Sequence, residues 1–282
     1  VSRLEPIAAD ATAIVLGGDP SRQALTRAQA ERRVEEFAAG LVALDCRRGD
    51  RFALPSVADG EALLLAMAAI EVGLAIVFGD GPAPPRSGLR ITPDEEADTD
   101  PRFPLLRPLD DGRSLDQLAA HGVLHIALEP DLRPRRTAER QAGDVALIVP
   151  GAATLDLQAL WAAIRALHAV EDLLRPEEPI LFARPLDAPW VLALALAAYA
   201  VGAPIAFGDA TTLRAAAPGV IVHGALLAES LPALLEEDQS RRGYLERLRR
   251  ARVARTVGPG ATLIPRLVLA DVGDLSAEDA RR

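Results

Sequence analysis

Apolar runs and amphipathic stretches alternate along the chain, and the alternation occurs twice. After Thr26, residues Val34, Phe37, Ala38, Leu41 and Leu44 fall on one face of a helix, with Gln29 in the capping-box position. The apolar run RFALP at Arg51 predicts a strand. The alanine-rich AMAAIEVGLAIVFGD (Ala66 to Asp80) predicts a buried helix that closes at Gly73 and leads into a second strand. The order then restarts at Asp156, with Leu157, Leu160, Trp161, Ile164 and Leu167 on one stripe. PILFA at Pro179 predicts a strand, and ALAAYAVGAPIAFGD (Ala195 to Asp209) a helix closing at Gly202 and a further strand. Nine of the 15 positions in the two alanine-rich segments are identical, at a spacing of 129 residues. Two copies are too few for a solenoid and indicate a duplicated subdomain. Strands alternating with helices indicate βαβ units. The expected fold is therefore α/β, with two pseudo-symmetric, mostly parallel subdomains.

Between the copies, Gly81 to Arg140 is rich in proline and charge. Only Gln117 to Leu128 predicts order there, as a helix end running into a strand, because Gly122 precedes the β-like HIAL. This places the first subdomain at 1–140, with a connector from about residue 81, and the second at 141–282. Trp190 to Phe207 runs eighteen residues without a charge, the lower edge of a membrane span. Gly202 and Pro204 punctuate it as a helix followed by a strand, so no span is expected.

Composition narrows the chemistry. All 31 basic residues are arginine, and the chain has neither lysine nor asparagine. No Schiff base, phosphate-loop lysine or adenylation lysine can come from it, because a guanidinium stays protonated. A net charge of −9 argues against a general nucleic-acid binder. The single cysteine, Cys46, excludes an intrachain disulfide and indicates a reducing compartment. The opening VSRLEPIAAD has no signal-peptide pattern, so a cytoplasmic location is expected. Asp80 and Asp209 read as turn residues, and His168 as the edge of a helix stripe. His121 and His125 lack a continuous helix and a third ligand, so no metal site is expected. RRGYLERLRRARVAR (Arg241 to Arg255) reads as a solvated helix face over Tyr244, Leu248 and Ala251.

Several segments, in order, resemble the adenylate-forming superfamily of acyl- and aryl-CoA synthetases, nonribosomal adenylation domains and luciferases. The stretch from LTRAQAERRVEEFAAGL through GDRFALP to EVGLAIVFGD resembles that family's opening. GDVALIVP (Gly143 to Pro150) resembles the strand that delivers its phosphate loop. PGVIVHGALLAESLPALLEE resembles the element around its acyl pocket, and PRLVLADVGD the strand and turn beside its adenine site. The resemblance implies the large N-terminal domain of an acyl-CoA synthetase, incomplete at its C-terminus. It implies a nucleotide site at Gly151, Thr154, Asp271 and Gly273, an acyl contact at His223 and Gly224, and ATP, AMP or CoA as ligands. The departures are specific. After Val149 the chain reads PGAATLDLQ, with no lysine and several residues fewer than the family's Ser/Thr/Gly-rich loop. Asp271 and Asp274 stand where the family has glycines. The expectation is a pseudoenzyme without catalytic residues of its own, a ligand-binding or assembly element. A homo-oligomer or protein partner would cover its truncated face, and the cleft would take an acyl or aryl small molecule. The alternatives are half of an ATP-dependent acid–CoA ligase completed by a separate chain, and a pure interaction protein.

Overall fold

A computed structural model describes residues 9–15, 24–54, 60–78, 88–90, 113–149, 153–169, 174–176, 178–208, 220–222, 252–257 and 266–271. The chain opens with a hairpin, β1 (Thr12–Val15) and β2 (Ala24–Thr26). Thr26 caps helix α1 (Arg27–Ala43): its hydroxyl accepts from the Gln29 N–H at 3.3 Å, and Gln29 Oε1 accepts from the Thr26 N–H at 2.8 Å. Two otherwise orphaned donors are thereby met, as the spacing predicts. Strand β3 (Arg51–Ala53), helix α2 (Gly60–Glu71) and strand β4 (Ala75–Val77) follow. Gly73 closes α2 at φ 82, a left-handed conformation that would strain any residue with a Cβ.

The connector holds more structure than its composition suggests. Strand β5 (Gly88–Arg90) pairs parallel with β3. Helix α3 (Arg113–Leu128) runs unbroken through Gly122, correcting the expected helix-to-strand change. The glycine is there for packing: a Cβ on Gly122 would overlap the Glu36 carbonyl oxygen of α1 and stand 2.9 Å from the Gly40 nitrogen. Gly40 is reciprocally tight, since a Cβ there would lie 2.7 Å from Leu118 Cδ1. The two helices thus cross on glycine against backbone, closer than side chains allow. Helix α4 (Leu132–Glu139) tolerates Pro134 because a first-turn proline sacrifices no intrahelical hydrogen bond.

The second copy repeats the first. Hairpin β6 (Val145–Val149) and β7 (Ala153–Asp156) leads to α5 (Leu157–His168), β8 (Ile180–Phe182), α6 (Pro189–Val201) and β9 (Ile205–Phe207). Asp156 caps α5 by accepting from the Ala159 N–H at 2.7 Å, and Gly202 closes α6 at φ 86. Three more strands follow: β10 (Val220–Val222), β11 (Arg252–Val257) and β12 (Arg266–Asp271). The end of the arginine-rich run, from Arg252, is therefore strand, correcting the helical expectation there; the β-branched Val253, Thr256 and Val257 suit a pleated ladder. Residues 241–251 lie outside the described ones.

The strands form a seven-stranded sheet, β12-β11-β10-β8-β9-β1-β2, and a five-stranded sheet, β5-β3-β4-β6-β7. The halves exchange their opening hairpins. Strand β1 runs parallel to β9 of the second copy, and β6 runs parallel to β4 of the first. Phe37, Phe52, Phe182 and Phe207 are fully buried, and the Phe182 and Phe207 rings stack at 5.3 Å between centroids. Two arginines reach the ends of the alanine-rich helices, and the first of them ties the halves. Arg27 Nη1 donates to the Tyr199 carbonyl near the end of α6, and Arg140 Nη1 to the Ile70 carbonyl near the end of α2. Ile70 and Tyr199 are equivalent in the duplication, so each alanine-rich helix has its C-terminal carbonyls met by a cation from outside it.

Candidate functional site

The segment that the resemblance assigns to phosphate lies on the β6–β7 hairpin. Val149 pairs with Ala153 and Ile148 with Thr154, so only Pro150 to Ala152 separate the ladder residues. The corresponding connection between β1 and β2 spans eight residues, Leu16 to Gln23. A phosphate cradle needs successive N–H groups converging from a curled backbone. Ala153 and Thr154 are extended strand residues and have no such curl.

The base of the hairpin is firmly held. Asp144, just before β6, accepts from Arg48 Nε at 2.8 Å and from the Gln141 N–H at 2.8 Å. Its carbonyl accepts from the Leu157 N–H at 2.8 Å, and the Ala142 carbonyl from the Gln158 N–H at 2.9 Å. The hydrogen bond from Arg48 is the main reason the Asp144 carboxyl titrates below its ordinary value. A carboxyl depressed on folding contributes stability above its unfolded pKa, about 3.9, and loses it as pH falls through the lower folded value. Asp144→Asn should therefore be less stable than wild type at pH 7, the difference closing only in strong acid. Urea midpoints across pH check this; a gap that closes on raising the pH would contradict it.

Thr154 is exposed on β7 in the five-stranded sheet. Asp271 ends β12 opposite Arg252, in the seven-stranded sheet. The two are thus carried by different sheets. Gly151, Gly273, His223 and Gly224 lie outside the described residues, as do Asp80 and Asp209. His121 and His125 share continuous helix α3, contrary to the sequence expectation, yet no group of three metal-ligating side chains gathers among the described residues. His168 Nε2 lies 2.9 Å from the Ala197 carbonyl, a tie between α5 and α6. Burial, aided by Asp50 and Asp45, pushes the Cys46 thiol up to about 12, so it is protonated and a poor nucleophile at neutral pH. The Asp144 anchor had no sequence signal, because its partner is 96 residues away.

No protein-family model matches the chain, and no curated protein sequence does. Solved structures do. The complex of VinN with L-aspartate matches at a TM-score of 0.61 and 19% identity, over 89% of this chain and 72% of that one. The N-terminal domain of FACL13 from Mycobacterium tuberculosis matches at 0.60 and 17%, over 84% and 63%. The nonribosomal peptide synthetase FmoA3, bound to α-methyl-L-serine-AMP, matches at 0.67 and 17%, over 94% of this chain and 33% of that one. The chain has the α/β fold of the large N-terminal domain of adenylate-forming enzymes. It spans about a third of the synthetase and under two thirds of the FACL13 domain. Among the described residues no helix is long and apolar enough to cross a membrane.

Proposed function

We propose that this chain is a degenerate acyl-CoA-synthetase-like domain that binds a ligand or partner and does not adenylate by itself. The observation that carries the reading is the β6–β7 hairpin, where the ladder begins three residues after it stops. Adenylation must neutralise a triphosphate and hold an attacking carboxylate in line. A chain with no lysine, whose Ala153 and Thr154 are committed to a strand, has little with which to do so. What supports continued binding is the retained two-sheet fold; the lining proposed for its cleft is Gly151, Thr154, Asp271 and Gly273 with His223 and Gly224. The two units, 1–140 and 141–282, form its walls in this reading, and a second copy or a protein partner covers the open face. ATP, AMP, CoA and small carboxylic acids are the ligands to try, L-aspartate and 3-methylaspartate included because VinN structures hold them.

The test is pyrophosphate exchange into ATP across that panel of acids. The isolated chain is expected to show none above a protein-free blank. Exchange by the chain alone overturns the proposal, and exchange on adding a lysine-bearing second chain establishes the split-ligase alternative.

A further inference from the structure

The duplication gives an internal comparison for surface positions. Thr26 and Asp156 cap equivalent helices, so Glu31 and Glu35 of α1 stand where Trp161 and Arg165 stand on α5. Glu31 is an ordinary solvated residue, 60% exposed and paired with Arg27. On α5 the same face carries an indole that is 40% exposed. Packing does not require it, because Leu157, Leu160, Ile164 and Leu167 already supply the buried stripe. Four residues on, where helical neighbours meet, Arg165 is exposed and its guanidinium has no hydrogen-bond or ion-pair partner among the described residues.

These side chains border a cleft of about 320 Å³, whose other wall is Arg140, Gln141 and Ala142. That volume is at the lower end of small-molecule sites. Among the described residues no carboxylate lines it, although the chain carries a net charge of −9. Two acids close to it in sequence are engaged: Asp144 with Arg48 and the Gln141 N–H, Asp156 with the Ala159 N–H. The first N–H groups of α5 are also taken, so the helix end itself offers no anion site. The guanidiniums do. Arg140 is steadied by its 3.1 Å hydrogen bond to the Ile70 carbonyl and keeps further N–H groups for a ligand. An indole face takes a planar ring, and a guanidinium fork takes a carboxylate or phosphate.

We propose that this cleft binds a small planar ring bearing an anionic group, the ring against Trp161 and the anion on Arg165 and Arg140. The site is separate from the β6–β7 turn and stands whether or not the chain adenylates. Trp161 reports on it directly. The chain has two tryptophans, and the other, Trp190, lies under the Arg184 guanidinium at 5.1 Å. The full chain labelled with ¹⁵N should give two indole N–H signals, which Trp190→Phe assigns. Titration with 2-naphthoate and with AMP is expected to shift the Trp161 signal saturably in at least one arm. The naphthoate arm marks an aryl acid and the AMP arm a nucleotide. The uncharged counterparts, 2-naphthalenemethanol and adenosine, should bind about tenfold more weakly, as should either anion to Arg165→Ala. Arg165 lies on the exposed face of α5, so this variant keeps the buried stripe intact. No saturable shift with either anion at millimolar concentration overturns the proposal. So does equal binding of the neutral compounds, or an Arg165→Ala titration that matches wild type.

Discussion

Gly122→Ala should destabilise the protein by about 3 kcal/mol or more, although glycine to alanine in an exposed helix normally gains about 1 kcal/mol. The reversal of sign is the diagnostic. The new methyl group would overlap the Glu36 carbonyl oxygen, which is main chain and cannot rotate away, and would crowd the Gly40 nitrogen. Relief requires α3 to move off α1, opening the contact made by Leu115, Leu118 and Ala119, all buried at 3% exposure or less. Gly143→Ala is the control: beyond its two chain neighbours, no heavy atom of the described residues lies within 4 Å of the added carbon. It should change stability by less than about 0.5 kcal/mol. Urea unfolding of the two variants checks both values. An alanine at 122 that leaves the midpoint unchanged would mean the helices cross farther apart than described.

The exchanged hairpins carry the second large expectation. A polypeptide of residues 1–140 keeps β3 and β4 but lacks β6 and β7, which extend their sheet beyond β4. A polypeptide of residues 141–282 lacks β1 and β2, which extend its sheet beyond β9. Each half would present the bared side of an apolar parallel strand carrying Ile76 or Ile205, both fully buried in the whole chain. Such edges pair with any available strand. Expressed separately, both halves should be insoluble or lack native circular dichroism; co-expressed, they should co-purify with the spectrum of the intact chain. A folded, monomeric half by itself would refute the interdependence.

Much of the fold was legible because the duplication repeats local signals. Thr26 with Gln29, Asp156 before its apolar stripe, and glycine after each alanine-rich helix mark element ends through chemistry within four residues. The unread parts depend on distant partners. Gly122 looks like a helix breaker until Glu36 and Gly40 are placed against it, and β5 is a strand only because β3 lies beside it. The hairpins were hidden because β2 and β7 are too short to show a period of two. At the candidate site the loss of lysine and the shortened loop could be read directly. The antiparallel register that stretches Ala153 and Thr154 could not, since it is fixed by pairing with β6. Trp161 was read as part of the helix stripe; it stands half exposed because Leu160 and Ile164 fill the core beside it.

The pairing of Ile14 with Ile205 also bears on how this polypeptide is made. The first of these strands leaves the ribosome long before its neighbour, which emerges only after β2 to β8 have been made. A nascent chain cannot seal off its amino-terminal portion while the remainder is still being polymerised, as a string of independent modules would. Until Ile205 arrives, Ile14 and its flanking segment must stay sequestered by a chaperone or wait in loose collapse, and contacts of such long sequence separation slow the final step.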